Sequence, residues 1–176
     1  MEPIGDIRPM MRKFFHNYQK KNDLIGVEIG TQRGINAKNI LQNFDMKKLY
    51  LIDPYIKYEE YTEDLIGDAY DTAKNNLQQY MSRIEFIYKK SEEAVNDVQD
   101  NLDFVYIDGN HAYEYVKRDV ELYYPKVITG GYIGGHDFDI KYPGVVKAVK
   151  EFVRKHDMTN RWFHHNDWLI VKEEEI

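Results

Sequence analysis

The 176-residue chain carries 24 Lys and Arg against 30 Asp and Glu, a formal charge of −6, and no cysteine. The acidic balance argues against a protein that tracks nucleic-acid phosphates through a basic face, and the lack of Cys rules out disulfides, Cys-ligated metal centres and a thiolate nucleophile. The length fits one domain at about 150 residues each, and no apolar run nears the roughly 18 residues of a membrane span.

The opening MEPIGDIRPMMRKFF lacks the apolar centre of a signal peptide, and the absence of Cys fits a reducing cytoplasm, which is the expected setting. A first helix is expected over about Ile7 to Lys20, with Ile7, Met11, Phe14 and Tyr18 on one face. Residues 1–22 then form an N-terminal helix packing on a single domain over 23–176. Continuous apolar runs, as in strands covered on both faces, follow at Leu24–Ile29, Leu49–Ile52, Ile84–Tyr88, Phe104–Ile107 and Tyr132–Gly134. Between them lie helical stripes: Ala37, Ile40, Leu41 and Phe44; Leu65, Ala69, Ala73 and Leu77; Tyr113, Val116, Val120 and Tyr123; and Val145, Val146, Val149, Phe152 and Val153. Ser91 before Glu92 and Glu93 reads as a helix N-cap. Two closing strands, Arg161–His164 and Trp168–Val171, flank a hairpin tip of His164, His165, Asn166 and Asp167, the second strand reading as antiparallel. This alternation predicts an α/β fold with a mostly parallel sheet and helices on both faces.

The turn VEIGTQRG, residues 27–34, is the most informative one. Gly30 and Gly34 permit backbone angles and close approaches that a Cβ forbids. Asp53 ends the next strand, where an acid commonly accepts hydrogen bonds from two ribose hydroxyls. A dinucleotide site wants Gly where this chain has Gln32 and Ile35, so the phosphate cradle is poor and a nicotinamide dehydrogenase is disfavoured. S-adenosylmethionine has a ribose but no phosphate and suits the loop better. Glu28, a carboxylate in an apolar strand, is costly unless paired, and a cationic ligand group would help satisfy it. An ordinary tight turn with two structural glycines would look the same.

Asp108 ends the fourth strand, His111 follows three residues on, and His136 and Asp137 end the fifth. Neighbouring strands lie about 4.8 Å apart, so carboxylates on adjacent ends can share a divalent cation such as Mg²⁺. Gly134 and Gly135 suggest close approach of a ligand or of a neighbouring chain segment.

Taken together, Ile107-Asp108-Gly109-Asn110-His111-Ala112-Tyr113 through Val116 and Asp119, then Gly130-Gly131 and His136-Asp137, resemble class I S-adenosylmethionine-dependent methyltransferases, of the small type similar to sugar and macrolide O-methyltransferases. The likeness covers about residues 24–172. It implies a Rossmann-like seven-stranded sheet of order 3-2-1-4-5-7-6, with strand 7 antiparallel. It also implies that Glu28, Gly30, Gly34, Asp53, Ser91 and Asp108 surround the cofactor. Metal ligands would be Asp108, His136 and Asp137, the His standing where such enzymes often carry Glu; His111, with Asp108, would serve catalysis as general base. The expected cofactors are S-adenosylmethionine and Mg²⁺ or another divalent cation.

The expected reaction is metal-assisted O-methylation of a small hydroxylated substrate such as a sugar. A metal-independent methyltransferase and a non-catalytic cofactor-binding partner module are the alternatives. The expected partner is a small molecule, with no nucleic acid and no membrane; IDGN stands where base-flipping methyltransferases carry an N-P-P-Y-type loop, and a homo-oligomer stays open. Residues 54–64 make a candidate lid, and Tyr55, Tyr58 and Tyr61 on it suit a sugar-like substrate.

Overall fold

The computed structural model describes residues 7–18, 21–58 and 62–174. Seven strands alternate with helices: α1 Pro9–Tyr18, β1 Leu24–Ile29, α2 Ile35–Asn43, β2 Met46–Ile52, α3 Glu63–Ile66, α4 Ala69–Leu77, β3 Ile84–Ile87, α5 Ser91–Ala94, β4 Leu102–Ile107, α6 Tyr113–Tyr123, β5 Val127–Gly135, α7 Pro143–Lys155, β6 Arg161–His164 and β7 Asp167–Val171. They form one sheet of order β3-β2-β1-β4-β5-β7-β6. All pairings are parallel except those of β7, which runs antiparallel to both β5 and β6.

The register decides what reaches the edge. Ile52, Ile29, Ile107, Gly135 and Trp168 pair in one row across five strands. The next residue towards the rim is therefore Asp53, Gly30, Asp108, His136 and, because β7 runs backwards, Asp167. Each strand alternates its side chains between faces, so a shared row brings these five to a common edge. The closely approaching glycines answer the sheet itself: a Cβ at Gly135 would lie 2.0 Å from the carbonyl oxygen of Ile107 on β4.

The core has two halves, one per sheet face. Val116, Val120 and Tyr123 of α6 and Val145, Val149 and Phe152 of α7 cover Val27, Val105 and Ile133. On the other face α2 joins α1, whose Met10, Met11 and Phe14 are buried. The Phe14 ring sits 5.0 Å from Phe104 and 5.2 Å from both Phe44 and Tyr132. The N-terminal helix is thus a wall of the core rather than an appendage.

Three local expectations change. The stripe Leu65 to Leu77 is not one helix: Gly67, at φ −1° and ψ −90°, leaves the helical path and ends α3, and Asp68 precedes a separate α4. Ser91 does not cap α5. Lys90 holds that position, and the Ser91 hydroxyl goes instead to the buried Asp119. Asp167 is no hairpin tip; it opens β7 and is buried, leaving His165, with a φ of 54°, in the turn. Among the described residues no helix is long and apolar enough to cross a membrane.

Replacing Phe14 with Ala should destabilise the protein by about 3–5 kcal/mol, the usual cost of emptying a buried aromatic site. Urea unfolding followed by circular dichroism checks this; a loss below about 1 kcal/mol would show that α1 lies outside the cooperative core.

Candidate active site

A cavity of about 750 Å³ opens at the carboxyl ends of β1, β2, β4 and β5. Its floor is the Gly30 turn. Gly30 has a φ of 89°, and a Cβ there would stand 2.1 Å from the Asp108 carbonyl oxygen. Its amide donates to Ile52 and the Asp108 amide donates to Ile29, at 2.9 and 2.8 Å. The turn is thereby stitched to both neighbouring strand ends.

Asp53 is buried beside it. One carboxylate oxygen accepts from the Gln32 amide at 2.9 Å and the other from the Tyr55 amide at 2.8 Å. Both donors sit on left-handed backbone, with φ of 47° and 50°. Burial pushes the Asp53 carboxyl upward and the two amides oppose it. Each oxygen keeps a second lone pair, so the group retains capacity for a ligand's hydroxyls.

Glu28 shows the clearest mismatch with its surroundings. It is 1% exposed. Asn36 donates to its Oε1 at 2.8 Å, while Oε2, Asn36 Oδ1 and Thr31 Oγ1 are buried without a hydrogen-bond partner among the described residues. Burial pushes its carboxyl up to about 8, against the Asn36 hydrogen bond. Buried polar atoms are usually paired, so three unpartnered ones in this corner leave capacity for a ligand's polar groups. At the far wall the Ser91 hydroxyl donates to Asp119, and Tyr123 Oη donates to the Ser91 carbonyl at 2.8 Å. Burial pushes Asp119 up to about 7. Both Ser91 and Asp119 line the cavity. The sequence pattern contained Asp119 without giving it a task.

The opposite corner gathers Asp108, His111, His136 and Asp137. Asp137, with a left-handed φ of 59°, faces two imidazoles: His111 Nε2 lies 2.9 Å from Oδ2 and His136 Nδ1 lies 3.0 Å from Oδ1. Burial would raise its carboxyl, but the hydrogen bonds from the two histidines outweigh it and hold Asp137 below the usual carboxylate range. Burial raises Asp108, against the nearby His136 and Arg8. One ligating atom each from Asp108, His111 and Asp137 lies within 4.8 Å of the others. His136 Nδ1 stands 4.0 Å from Asp108. The His111 ring packs 4.2 Å from Tyr142.

Arg8, just before α1, enters this corner from a distant part of the chain. Its Nη1 is 2.7 Å from His136 Nε2 and its Nη2 is 3.6 Å from Asp108. No spacing in the sequence signals that approach. Of the lid candidate, Pro54, Ile56, Lys57 and Tyr58 line the cavity, and Tyr55 packs against Tyr70 at 5.5 Å. Tyr61 lies outside the described residues. Gly34, at φ 71°, heads α2.

Comparison with known proteins gives a family for the chain and neighbours for its fold. The sequence profile of a family described as a methyltransferase domain matches residues 27–138. The uncharacterized protein R132 of Acanthamoeba polyphaga mimivirus is 34% identical over 146 residues, 78% of this chain and 62% of that relative. The chain thus spans less than two thirds of that relative's length. The fold is similar to the O-methyltransferase NovP, with a TM-score of 0.67 at 19% identity over 92% of this chain and 76% of that one. It is also similar to the MycE methyltransferase of the mycinamycin biosynthetic pathway, solved with Mg and SAH, with a TM-score of 0.61 at 15% identity over 94% of this chain and 49% of that one.

Glu28 gives a pH prediction. Its folded pKa lies above that of the unfolded chain, so its contribution to stability is complete below about pH 4.5 and is lost as pH rises to about 8. Without added ligand, the stability of Glu28→Gln relative to the natural protein should rise by up to about 1.4 kcal/mol per pH unit between pH 5 and 8. Urea melts across that range measure it; parallel pH dependences would show Glu28 ionised in the fold.

Proposed function

The chain belongs to the methyltransferase-domain family, and from that premise and the geometry of the rim we propose that it is an S-adenosylmethionine-dependent O-methyltransferase acting on a small hydroxylated molecule with the help of a divalent cation. The observation that carries the reading is the buried, unpartnered Oε2 of Glu28 beside the Gly30 turn, with Asp53 on the next strand end. A carboxyl so placed fits a ligand that brings its own cationic donor. Asp53 fits the ribose hydroxyls of the same ligand. Ser91 fits its base end, and Gly30 and Gly34 keep the turn open to it. S-adenosylmethionine, when bound, supplies a methyl group on a sulfonium centre.

Methyl transfer to oxygen needs an aligned, deprotonated hydroxyl. His111 is the base: it takes the hydroxyl proton, and the Asp137 carboxylate, kept ionised, stabilises the resulting imidazolium. A positioned base of this kind contributes about 10²–10⁴-fold. Asp108 and Asp137 offer hard oxygens suited to Mg²⁺, with a histidine of the same corner as a further ligand. MycE, of the same fold, was solved with Mg, which supports that part of the reading. A cation there supplies positive charge that acidifies a nearby hydroxyl. The buried walls align the two reactants, which is where most of the remaining rate would come from.

Calorimetry with S-adenosylmethionine should show one site, and Glu28→Gln should weaken it by roughly 10- to 100-fold, the worth of a charge-assisted hydrogen bond. No binding by the folded natural protein would end the reading. EDTA should abolish methyl transfer and Mg²⁺ restore it; transfer indifferent to EDTA would leave the His111–Asp137 pair working without a cation.

A further inference from the structure

We propose, on the reading that the Asp108 and His111 corner receives the methyl acceptor, that this acceptor is a phosphate ester whose phosphate is held at the cavity mouth by Arg8 and Lys141. The cavity orders its charges by depth. Its acids Glu28, Asp53, Asp119 and Asp137 are buried. The cations of its wall, Arg8, Arg33, Lys57, Lys90 and Lys141, are half-buried or exposed. Arg33 and Lys57 are spent on Asp68 and Glu63, and Lys90 stands beside Ser91 at the nucleobase end. Arg8 and Lys141 are the cations of the acceptor corner.

A counter-charge role alone explains Arg8 poorly. A guanidinium has five N–H donors, and one devoted to a carboxylate pairs with it through two parallel bonds. Here Nη1 lies 2.7 Å from His136 Nε2, and Nη2 stands 3.6 Å from Asp108, beyond hydrogen-bond reach. The side chain is 40% exposed, so unspent donors remain at the cavity wall. Among the described residues Lys141 has no carboxylate within 4 Å. Its Nζ lies 4.9 Å from the centre of the Tyr142 ring, which packs 4.2 Å from the His111 ring. Lys141 therefore sits one ring away from the base, and Arg8 stands on the Asp108 side of the same corner. A hydroxyl at His111 and an anion at these cations belong to one small molecule, as in a sugar phosphate. A carboxylate is satisfied by one forked arginine; two cations, one from each side, suit the nearly double charge of a phosphate.

The sequence extends the same field outward. Five of the 24 Lys and Arg, and none of the 30 Asp and Glu, fall in the sixteen residues from Ile7 to Asn22. α1 buries Met10, Met11 and Phe14 against the sheet, which leaves Arg12 and Lys13 exposed on its first turns. Helical side chains tilt towards the N-terminus of their helix. That end of α1 is the one at the rim, where the Met10 amide is tied to Asp167 Oδ2 at 2.5 Å. Arg12 and Lys13 thus lean towards Arg8 and the mouth. Cations arranged this way steer an anion to a site that the net charge of −6 would otherwise disfavour.

Backbone and arginine Nε–H signals in ¹H–¹⁵N spectra, followed while methyl phosphate or acetate is added at constant ionic strength, test the assignment without a methyl acceptor or a metal. Methyl phosphate should give saturable shifts at Arg8 Nε–H and at the Lys141 and Tyr142 amides. Arg8→Met should weaken its binding roughly tenfold, the effect of losing one charge-assisted hydrogen bond. Lys141→Gln, on an exposed loop, should weaken it about threefold, within the range of an exposed ion pair. No saturable shift at these signals overturns the proposal, as does acetate binding equally tightly. Should Arg8→Met undock α1, visible in the Phe14 amide signal, Lys141→Gln decides, and unchanged binding there overturns the proposal. Bound S-adenosylmethionine should leave the phosphate site open. Displacement of methyl phosphate by S-adenosylmethionine would put the anion site in the cofactor's own seat and overturn the acceptor assignment. Phosphate binding by a protein that fails to bind S-adenosylmethionine would fault the cofactor reading and leave the anion site standing.

Discussion

Everything at the rim hangs on two strand ends that touch backbone to backbone. Gly30 and Asp108 are so close that a methyl group on Gly30 would stand 2.1 Å from the Asp108 carbonyl oxygen. That contact joins the two corners of the cavity. On one side lie Glu28, Asp53 and the α2 turn; on the other lie Asp108, His111 and the β5 end. Any side chain at position 30 would force β1 and β4 apart and lose the hydrogen bonds that stitch the turn to its neighbours. The space for a ligand exists because the chain itself takes none of it there.

The sequence announced the sheet well, because parallel strands buried on both faces are written as unbroken apolar runs. β1 and β6 have the expected limits, and the antiparallel β7 follows from the expected topology. What failed were features settled by distant partners. Ser91 looked like a cap from its own neighbourhood, but Asp119, on another helix, claims its hydroxyl. Asp167 looked like turn material beside Asn166, yet the antiparallel register carries it to the rim. Gly67 broke a stripe that was periodic on paper.

The same contrast runs through the site. That Glu28, Gly30, Asp53, Asp108, His111 and Asp137 come to one cavity was readable because each sits at or just after a strand end, where one row of the sheet fixes their depth. Arg8 was not, since nothing local to MEPIGDIRP points 128 positions ahead. Its place depends on Phe14 and Met10 seating α1 against Phe104 and Tyr132. A packing interaction on one face of the sheet thereby reaches the electrostatics of the edge. The net charge of −6 finds a partial explanation here too: Asp53, Asp108, Asp137 and Asp167 converge on one edge, with Arg8 as a cation in direct contact with the cluster. The other acids are mostly solvated surface.

The tie between the Met10 amide and Asp167 spans 157 residues. In a polypeptide that emerges from its N-terminal end, the β1-to-β5 portion of the sheet can pair long before β7 exists. Until Asp167 arrives, the start of α1 has no anchor at the rim and Arg8 has no fixed approach to His136. Closure of this corner therefore requires the whole span from Met10 to Asp167. Without β7, the Glu28 and Asp53 corner of the cavity keeps its strands while the Arg8 corner lacks its tie.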